Sequence, residues 1–205
     1  MVRDGIPFVL VPLILAFLLL VLGQWQLACI LFALALFMVF FFRDPKRHVP
    51  IESNLVVAPA DGRVTRVAKL DPANVNSPSV VSIFLSVFDV HINRAPIAGT
   101  ISDVTYTKGR FLIATSSNAS LVNEQNAVTI EGERMTVVCK QIAGVLARRI
   151  VCWKRSGDEV ALGEKFGLIK FSSRTDLILP PEVQVAVEVG SRVRGGVTVI
   201  GRLIS

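Results

Sequence analysis

The chain has 205 residues, is 52% hydrophobic and only 19% charged, and sets 22 Lys plus Arg against 16 Asp plus Glu, a balance that excludes a disordered polypeptide. Residues 5–42 contain no Asp, Glu, Lys or Arg, so residues 43–205 carry the whole net charge of +6. That part is long enough for one sizeable core and leaves little room for a second. On a chain with an apolar leader, a basic surface suits anionic lipid better than nucleic acid, and no aromatic-interleaved basic patch argues for a nucleic-acid partner.

Residues 6–22 form an apolar run, Gly23-Gln24-Trp25-Gln26 interrupts it, and residues 27–42 supply a second run that Arg43-Asp44-Pro45-Lys46-Arg47 ends. Each run predicts a helix about 25 Å long, at the short edge of what spans a bilayer core. A removed signal peptide is disfavoured, because the apolar region is too long and no small-residue cleavage site precedes the basic stop. The expectation is a membrane helical hairpin over residues 1–42, either crossing twice or dipping into one leaflet. Both forms put Arg3 beside Arg43, Lys46 and Arg47 on one side, which the positive-inside tendency makes cytoplasmic. Cys29, Cys139 and Cys152 are odd in number and have no CxxC spacing, which predicts neither a disulfide framework nor a zinc site. No metal is expected.

Beyond Pro50 the pattern turns to short runs rich in Val, Ile and Thr at residues 64–67, 80–87, 100–105, 127–130 and 136–139, with Gly, Asp and Asn between them. This predicts strands and turns. Two internal echoes accompany it: Pro59-Ala60-Asp61-Gly62-Arg63-Val64 resembles Pro96-Ile97-Ala98-Gly99-Thr100-Ile101, and Gly157-Asp158-Glu159-Val160 resembles Gly190-Ser191-Arg192-Val193. Such cadences suit a small barrel or sandwich and are similar to those of lipoyl and biotinyl carrier domains. The expected fold is therefore mainly β, a barrel-sandwich-hybrid-like domain over residues 43–205. Its one helix is predicted over residues 119–125, capped by Ser116, Ser117 or Asn118.

Histidine is scarce. His48 lies in the basic stop, while His91 lies in Phe88-Asp89-Val90-His91-Ile92-Asn93-Arg94-Ala95-Pro96. A lone histidine is commonly a structural hydrogen bonder. Asp89 and Asp61 favour chemistry here, since a carboxylate can orient an imidazole that activates a hydroxyl. The hydroxyl candidates are Ser172 and Ser173, within Phe166-Gly167-Leu168-Ile169-Lys170-Phe171-Ser172-Ser173-Arg174.

Taken in order, Phe42-Arg43-Asp44-Pro45, Pro59-Ala60-Asp61-Gly62, the block from Asp89 to Pro96, Gln141-Ile142-Ala143-Gly144, Ala147-Arg148-Arg149-Ile150-Val151, and Gly163-Glu164-Lys165-Phe166-Gly167 through Phe171-Ser172-Ser173-Arg174 resemble the short-chain phosphatidylserine decarboxylases, archaetidylserine decarboxylase-like proteins included. The resemblance covers almost the whole chain, apolar hairpin included. It implies a lyase that makes its own prosthetic group. Ser173 attacks the carbonyl of residue 172, the amide becomes an ester, and β-elimination with hydrolysis leaves a pyruvoyl group on residue 173. The chain then consists of residues 1–172 and a small chain of residues 173–205. The pyruvoyl carbonyl condenses with the substrate amine, and the imine takes up the electrons released with carbon dioxide, giving phosphatidylethanolamine from phosphatidylserine or a related phosphoserine lipid. By the same resemblance His91 is the base for maturation and a later proton donor, Asp61 its orienter, and Asp89 a further member of the site.

Two positions depart from the family. Ser172 stands where the family has Gly before the cleavage serine, and Arg94 stands where longer-chain relatives have a second His. The first departure keeps open an uncleaved precursor, a pseudoenzyme or a membrane-anchored binding module; no Lys flanked by Met supports a swinging-arm carrier. An exposed strand edge could also be covered by a second copy in a homo-oligomer.

Overall fold

The computed structural model describes residues 1–204 apart from residues 53, 114, 115, 117, 146–148 and 172. The chain forms two compact units, Met1–Lys46 and Arg47–Ser205.

In the first unit, helix α1 (Ile6–Val21) and helix α2 (Trp25–Phe41) form an antiparallel hairpin. Pro7 is tolerated in the first turn of α1, where the missing N–H would have no helical partner. The turn between the helices is closed by the Gln24 N–H donating to the Leu19 carbonyl at 2.8 Å, and the open ends are pinned by the Val2 N–H donating to the Phe42 carbonyl at 3.1 Å. Arg3 and Arg43 therefore lie at one end of the hairpin, as the apolar pattern predicts. The stretch Arg3–Val21, with mean hydropathy 2.5, is long and apolar enough to cross a membrane, whereas Trp25–Phe41 is apolar but shorter. An N-terminal apolar helix of this kind points to membrane association.

The second unit is mainly β. Its strands are β1 (Leu55–Val57), β2 (Gly62–Lys69), β3 (Ser79–Leu85), β4 (Ile92–Arg94), β5 (Gly99–Thr107), β6 (Gln125–Glu131), β7 (Thr136–Ala143), β8 (Arg149–Cys152), β9 (Glu159–Val160), β10 (Lys165–Lys170), β11 (Ser173–Leu179), β12 (Val183–Val185), β13 (Arg192–Val193) and β14 (Val199–Leu203). Eight of them form one antiparallel sheet in the order β13-β2-β3-β11-β7-β6-β5-β9, and two three-stranded sheets, β1-β14-β12 and β4-β10-β8, complete the domain. One buried cluster joins the layers: Val81, Ile83, Val128, Ile130 and Leu177 from the large sheet, Val56 and Ile200 from one small sheet, and Phe166 from the other.

Both internal echoes have a structural counterpart. Gly62 opens β2 and Gly99 opens β5, and a Cβ on either would stand 2.2 Å from a carbonyl oxygen, that of Phe84 or that of Glu131. Only glycine permits that approach. Each strand then slips register at the same distance past its glycine, between Val64 and Arg66 in β2 and between Ile101 and Asp103 in β5. The second echo supplies the matching edge strands. Val64 exchanges backbone hydrogen bonds with Gly190 and Ser191, and Ile101 does so with Gly157 and Asp158. The large sheet thus reads alike from either edge, with β11 and β7 at its centre.

The helix is shorter than predicted. α3 (Ala119–Val122) has Asn118 at its N-cap with no side-chain capping bond, and Ser117 lies outside the described residues. It stops because Asn123 turns extended and spends its side chain on other backbone, accepting from the Leu112 N–H at 3.0 Å and donating to the carbonyls of Leu112 at 2.9 Å and Ala143 at 2.8 Å.

Candidate active site

Ser173 opens β11 in the middle of the large sheet, in register with Leu85 of β3 on one side and Ala143 of β7 on the other. It is completely buried, and its Oγ has no hydrogen-bond partner among the described residues. A buried hydroxyl in that condition is uncommon and costly. The approach to Ser173 is strained for a topological reason. β10 belongs to a small sheet and β11 to the large one, and only residues 171 and 172 carry the chain between the layers. Phe171 takes φ 63°, the only non-glycine residue at positive φ among the described residues, a conformation that costs about 1–3 kcal/mol. Ser172 lies outside the described residues.

His91 is buried just before β4 and flanks the same approach, its carbonyl accepting from the Ile169 N–H at 3.2 Å. Its Nδ1 lies 2.9 Å from the Asp89 carbonyl oxygen. Donation from Nδ1 to that carbonyl makes Nε2 the basic nitrogen of the ring. The carboxylates expected to orient the imidazole are engaged elsewhere. Asp89 Oδ2 accepts from the Ser86 N–H at 2.8 Å and the Ser86 hydroxyl at 2.7 Å, while Oδ1 accepts from Arg192 at 2.9 Å. Asp89 thus builds the turn that presents its own carbonyl to His91. Asp61 pairs with Arg47 at 2.7 Å and accepts from the Gly195 N–H at 2.8 Å. Arg94 donates to the Gly163 carbonyl at 3.0 Å, and its backbone N–H reaches the Pro59 carbonyl at 2.8 Å, so several of the quoted blocks meet in one place.

Sequence reasoning missed a buried polar chain on the Ser173 face of the sheet. Asn126, Gln141 and Thr175 form one register row across β6, β7 and β11. Asn126 Nδ2 donates to Gln141 Oε1 at 2.9 Å, Gln141 Nε2 donates to Asn93 Oδ1 at 2.9 Å, and Asn93 Nδ2 donates to Thr175 Oγ1 at 3.0 Å. Because strand side chains alternate, Thr175 and Ser173 share a face, and the chain of amides locks the strand that begins at Ser173 onto β4. A signal was present: Asn126 and Gln141 occupy core-phase positions of strands otherwise filled there by Val128, Ile130, Val137 and Cys139. On the opposite face of β11 the buried Arg174 and Asp176 form a two-pronged ion pair at 2.6 and 2.8 Å, and Arg174 also donates to the Ser116 carbonyl at 3.3 Å. Among the described residues no cluster of three His, Cys, Asp or Glu side chains is placed to hold a metal ion.

A family model described as phosphatidylserine decarboxylase matches residues 34–201, which include Asp61, Asp89, His91 and Ser173. The chain belongs to the phosphatidylserine decarboxylase family. Among its relatives, the phosphatidylserine decarboxylase proenzyme of Symbiobacterium thermophilum is 48% identical over 206 residues, covering 98% of this chain and 94% of that protein. The proenzyme of Solibacter usitatus is 51% identical over 172 residues, covering 84% and 81%. That of Carboxydothermus hydrogenoformans is 43% identical over 206 residues, covering 99% and 96%.

Proposed function

We propose that this chain is a membrane-associated proenzyme that cleaves itself between Ser172 and Ser173 and decarboxylates phosphatidylserine, or a lipid with the same phosphoserine headgroup, to the corresponding ethanolamine lipid. The buried Ser173 Oγ, without a hydrogen-bond partner among the described residues and beside the strained Phe171, carries the reading. A hydroxyl held in the sheet by two ladders, on a backbone already bent, is spared the entropy of finding its target. Oγ attacks the carbonyl carbon of residue 172, the C–N bond gives way to a C–O ester, and the freed amine stays on residue 173. His91 Nε2 takes the hydroxyl proton and passes it to the departing amine, which frees the ring to take the proton on the Ser173 Cα; elimination then releases residue 172 as a carboxylate that keeps the serine oxygen, and water displaces the nitrogen left on residue 173 as ammonia. The Asp89 carbonyl keeps the imidazole in the tautomer this requires. Asp61, through Arg47 and Gly195, positions the segments around Arg94.

The residues present fit a pyruvoyl group, because the orphaned oxygen of Ser173 is the atom lost when the group forms. Once formed, the group supplies an electron-accepting carbonyl for the substrate's amine. His91 then holds the proton returned to the substrate carbon, and the buried amide chain holds the strand that begins at residue 173 in place. The domain works at the cytoplasmic face, held there by the apolar hairpin and the Arg43, Lys46 and Arg47 cluster, with residues 173–205 remaining bound as the small chain.

A denaturing gel with mass spectrometry tests the proposal: the purified chain, or its Ser172→Gly form, releases a 33-residue fragment spanning residues 173–205, and only cleaved protein evolves carbon dioxide from vesicle-borne phosphatidylserine. Carbon dioxide from a chain that stays intact would overturn it. Ser172 favours one variant of this reading, in which the natural chain persists as a slowly maturing precursor, since a side chain there hinders the bend that family members make with glycine.

A further inference from the structure

Strand register gathers one set of loops at a single end of the large sheet. Ser173 pairs with Leu85 and Ala143, Ile142 pairs with Gln125, and Gln125 pairs with Thr107, so the segments after β3, β5 and β7 all emerge where β11 begins. These segments expose apolar side chains to an unusual degree: Phe88 is 67% exposed, Ile113 64% and Val145 49%, with Phe111 and Leu112 beside Ile113. They are held in place rather than loose ends, since Asn123 fastens Leu112 to Ala143, the register neighbour of Ser173, and Arg174 binds the Ser116 carbonyl.

Charge separates this end from the other. Among the described residues, the segments 62–63, 86–91, 108–124 and 144–149 contain four Lys or Arg and two carboxylates. Both carboxylates are engaged, Asp89 with Ser86 and Arg192 and Glu124 with the Tyr106 hydroxyl. At the opposite end, residues 69–78, 131–136, 154–159 and 180–182 contain six carboxylates and four Lys or Arg. That end also exposes Leu70 and Val75, but its carboxylates outnumber its cations.

We infer that the Ser173 end of the β domain is itself a docking surface for an anionic bilayer: Phe88, Phe111, Leu112, Ile113 and Val145 enter the headgroup region, and the basic residues around them meet lipid phosphates. The inference deepens the proposed function, since a lipid headgroup must reach a serine buried in the sheet without its tails leaving the membrane. The rim next to Ser173 gives those tails an apolar surface to stay in.

The test uses the full chain, with Trp25→Phe and Trp153→Phe, reconstituted in vesicles containing phosphatidylglycerol. Ile113→Trp is compared with Glu133→Trp, which reports from the hairpin tip at the far end of β7, about 23 Å along that strand from Ala143. The expected result is that acyl-brominated lipid removes about half or more of the emission at position 113 and little at position 133, because an interfacial residue sits about 5–10 Å into the boundary. Equal quenching at the two positions overturns the inference. So does a detergent-solubilised dimer that Ile113→Asp converts to monomer, which would make the face a contact between two copies. Rates add a second reading: Phe111→Asp with Ile113→Asp should lower the ratio of vesicle-borne to dispersed short-chain turnover about tenfold or more, and an unchanged ratio counts against docking. Quenching needs no turnover, so a chain that never cleaves would sink the proposed function while leaving the docking surface testable, and active protein with an unquenched position 113 would do the reverse.

Discussion

Replacing Gln141 by Leu keeps the apolar bulk of the side chain and deletes both of its amide functions. In the structure this leaves Asn126 Nδ2 without the acceptor at 2.9 Å and Asn93 Oδ1 without the donor at 2.9 Å, and both groups are buried. A buried polar group stripped of its partner costs about 1–3 kcal/mol, so the variant should lose about 2–6 kcal/mol, a large part of the stability of about 5–15 kcal/mol usual for a native protein. At about 2–4 °C per kcal/mol for a domain of this size, the unfolding midpoint should fall by about 4–24 °C. Near-UV circular dichroism of detergent-solubilised protein reads the midpoint, with Ser173→Ala in both samples so that chain cleavage cannot contribute. Adding Asn126→Leu removes one of the two orphaned groups and should recover part of the loss, because the two sites share one network. A fall of less than about 2 °C, or no recovery in the double variant, would mean that the amide chain is not what locks β11 to its neighbours.

The remaining predictions concern maturation and thiol chemistry. Ser172→Gly should speed cleavage relative to the natural chain when both are followed by gel, while Ser173→Ala and His91→Ala should stay intact even in the Ser172→Gly background; normal maturation of His91→Ala would assign the base elsewhere. Phe171→Gly should relieve about 1–3 kcal/mol of backbone strain, raising the melting midpoint of the Ser173→Ala protein while slowing cleavage in a chain that retains Ser173, and unchanged cleavage would separate the strain from the chemistry. Burial, reinforced by Asp176, pushes the Cys139 thiol well above its ordinary range, and burial also raises that of Cys152. Since the thiolate is the nucleophile, mass spectrometry should find Cys139 unalkylated until the protein unfolds and Cys152 modified before it; rapid native labelling of Cys139 would contradict the packed centre of the sheet.

Much of the domain was legible because its constraints are local. Gly62 and Gly99 are required by a neighbouring strand's carbonyl, and the echo around them survives in sequence because the backbone repeats there. The runs of β2, β3, β5, β6 and β7 are rich enough in Val, Ile and Thr to stand out from the turn residues around them. β11 was not read as a strand, since it is buried on both faces and opens Ser-Arg-Thr-Asp, a composition that suggests a turn until Arg174 is seen paired with Asp176 and Thr175 with Asn93. The sequence singles out Asp61 and Asp89 but does not show the partners that the structure gives them. Whether a carboxylate faces an imidazole, or a guanidinium far along the chain such as Arg192, depends on tertiary contacts that spacing does not encode.

The central position of β11 has a consequence for the life of the molecule after processing. The bond expected to break lies immediately before a strand hydrogen-bonded on both sides, and the segment beyond it supplies β12, β13 and β14 to two different sheets. The liberated piece would therefore begin in the deepest part of the fold and own no core apart from the one it shares. It could leave only if the entire domain came apart, and once apart the two pieces would have to find each other in solution, where a single chain had only to fold. Such a protein is made once. Its persistence is a matter of how slowly it unfolds rather than of any equilibrium with its separated parts, and an enzyme that depends on its own scission has given up the route by which it first reached its structure.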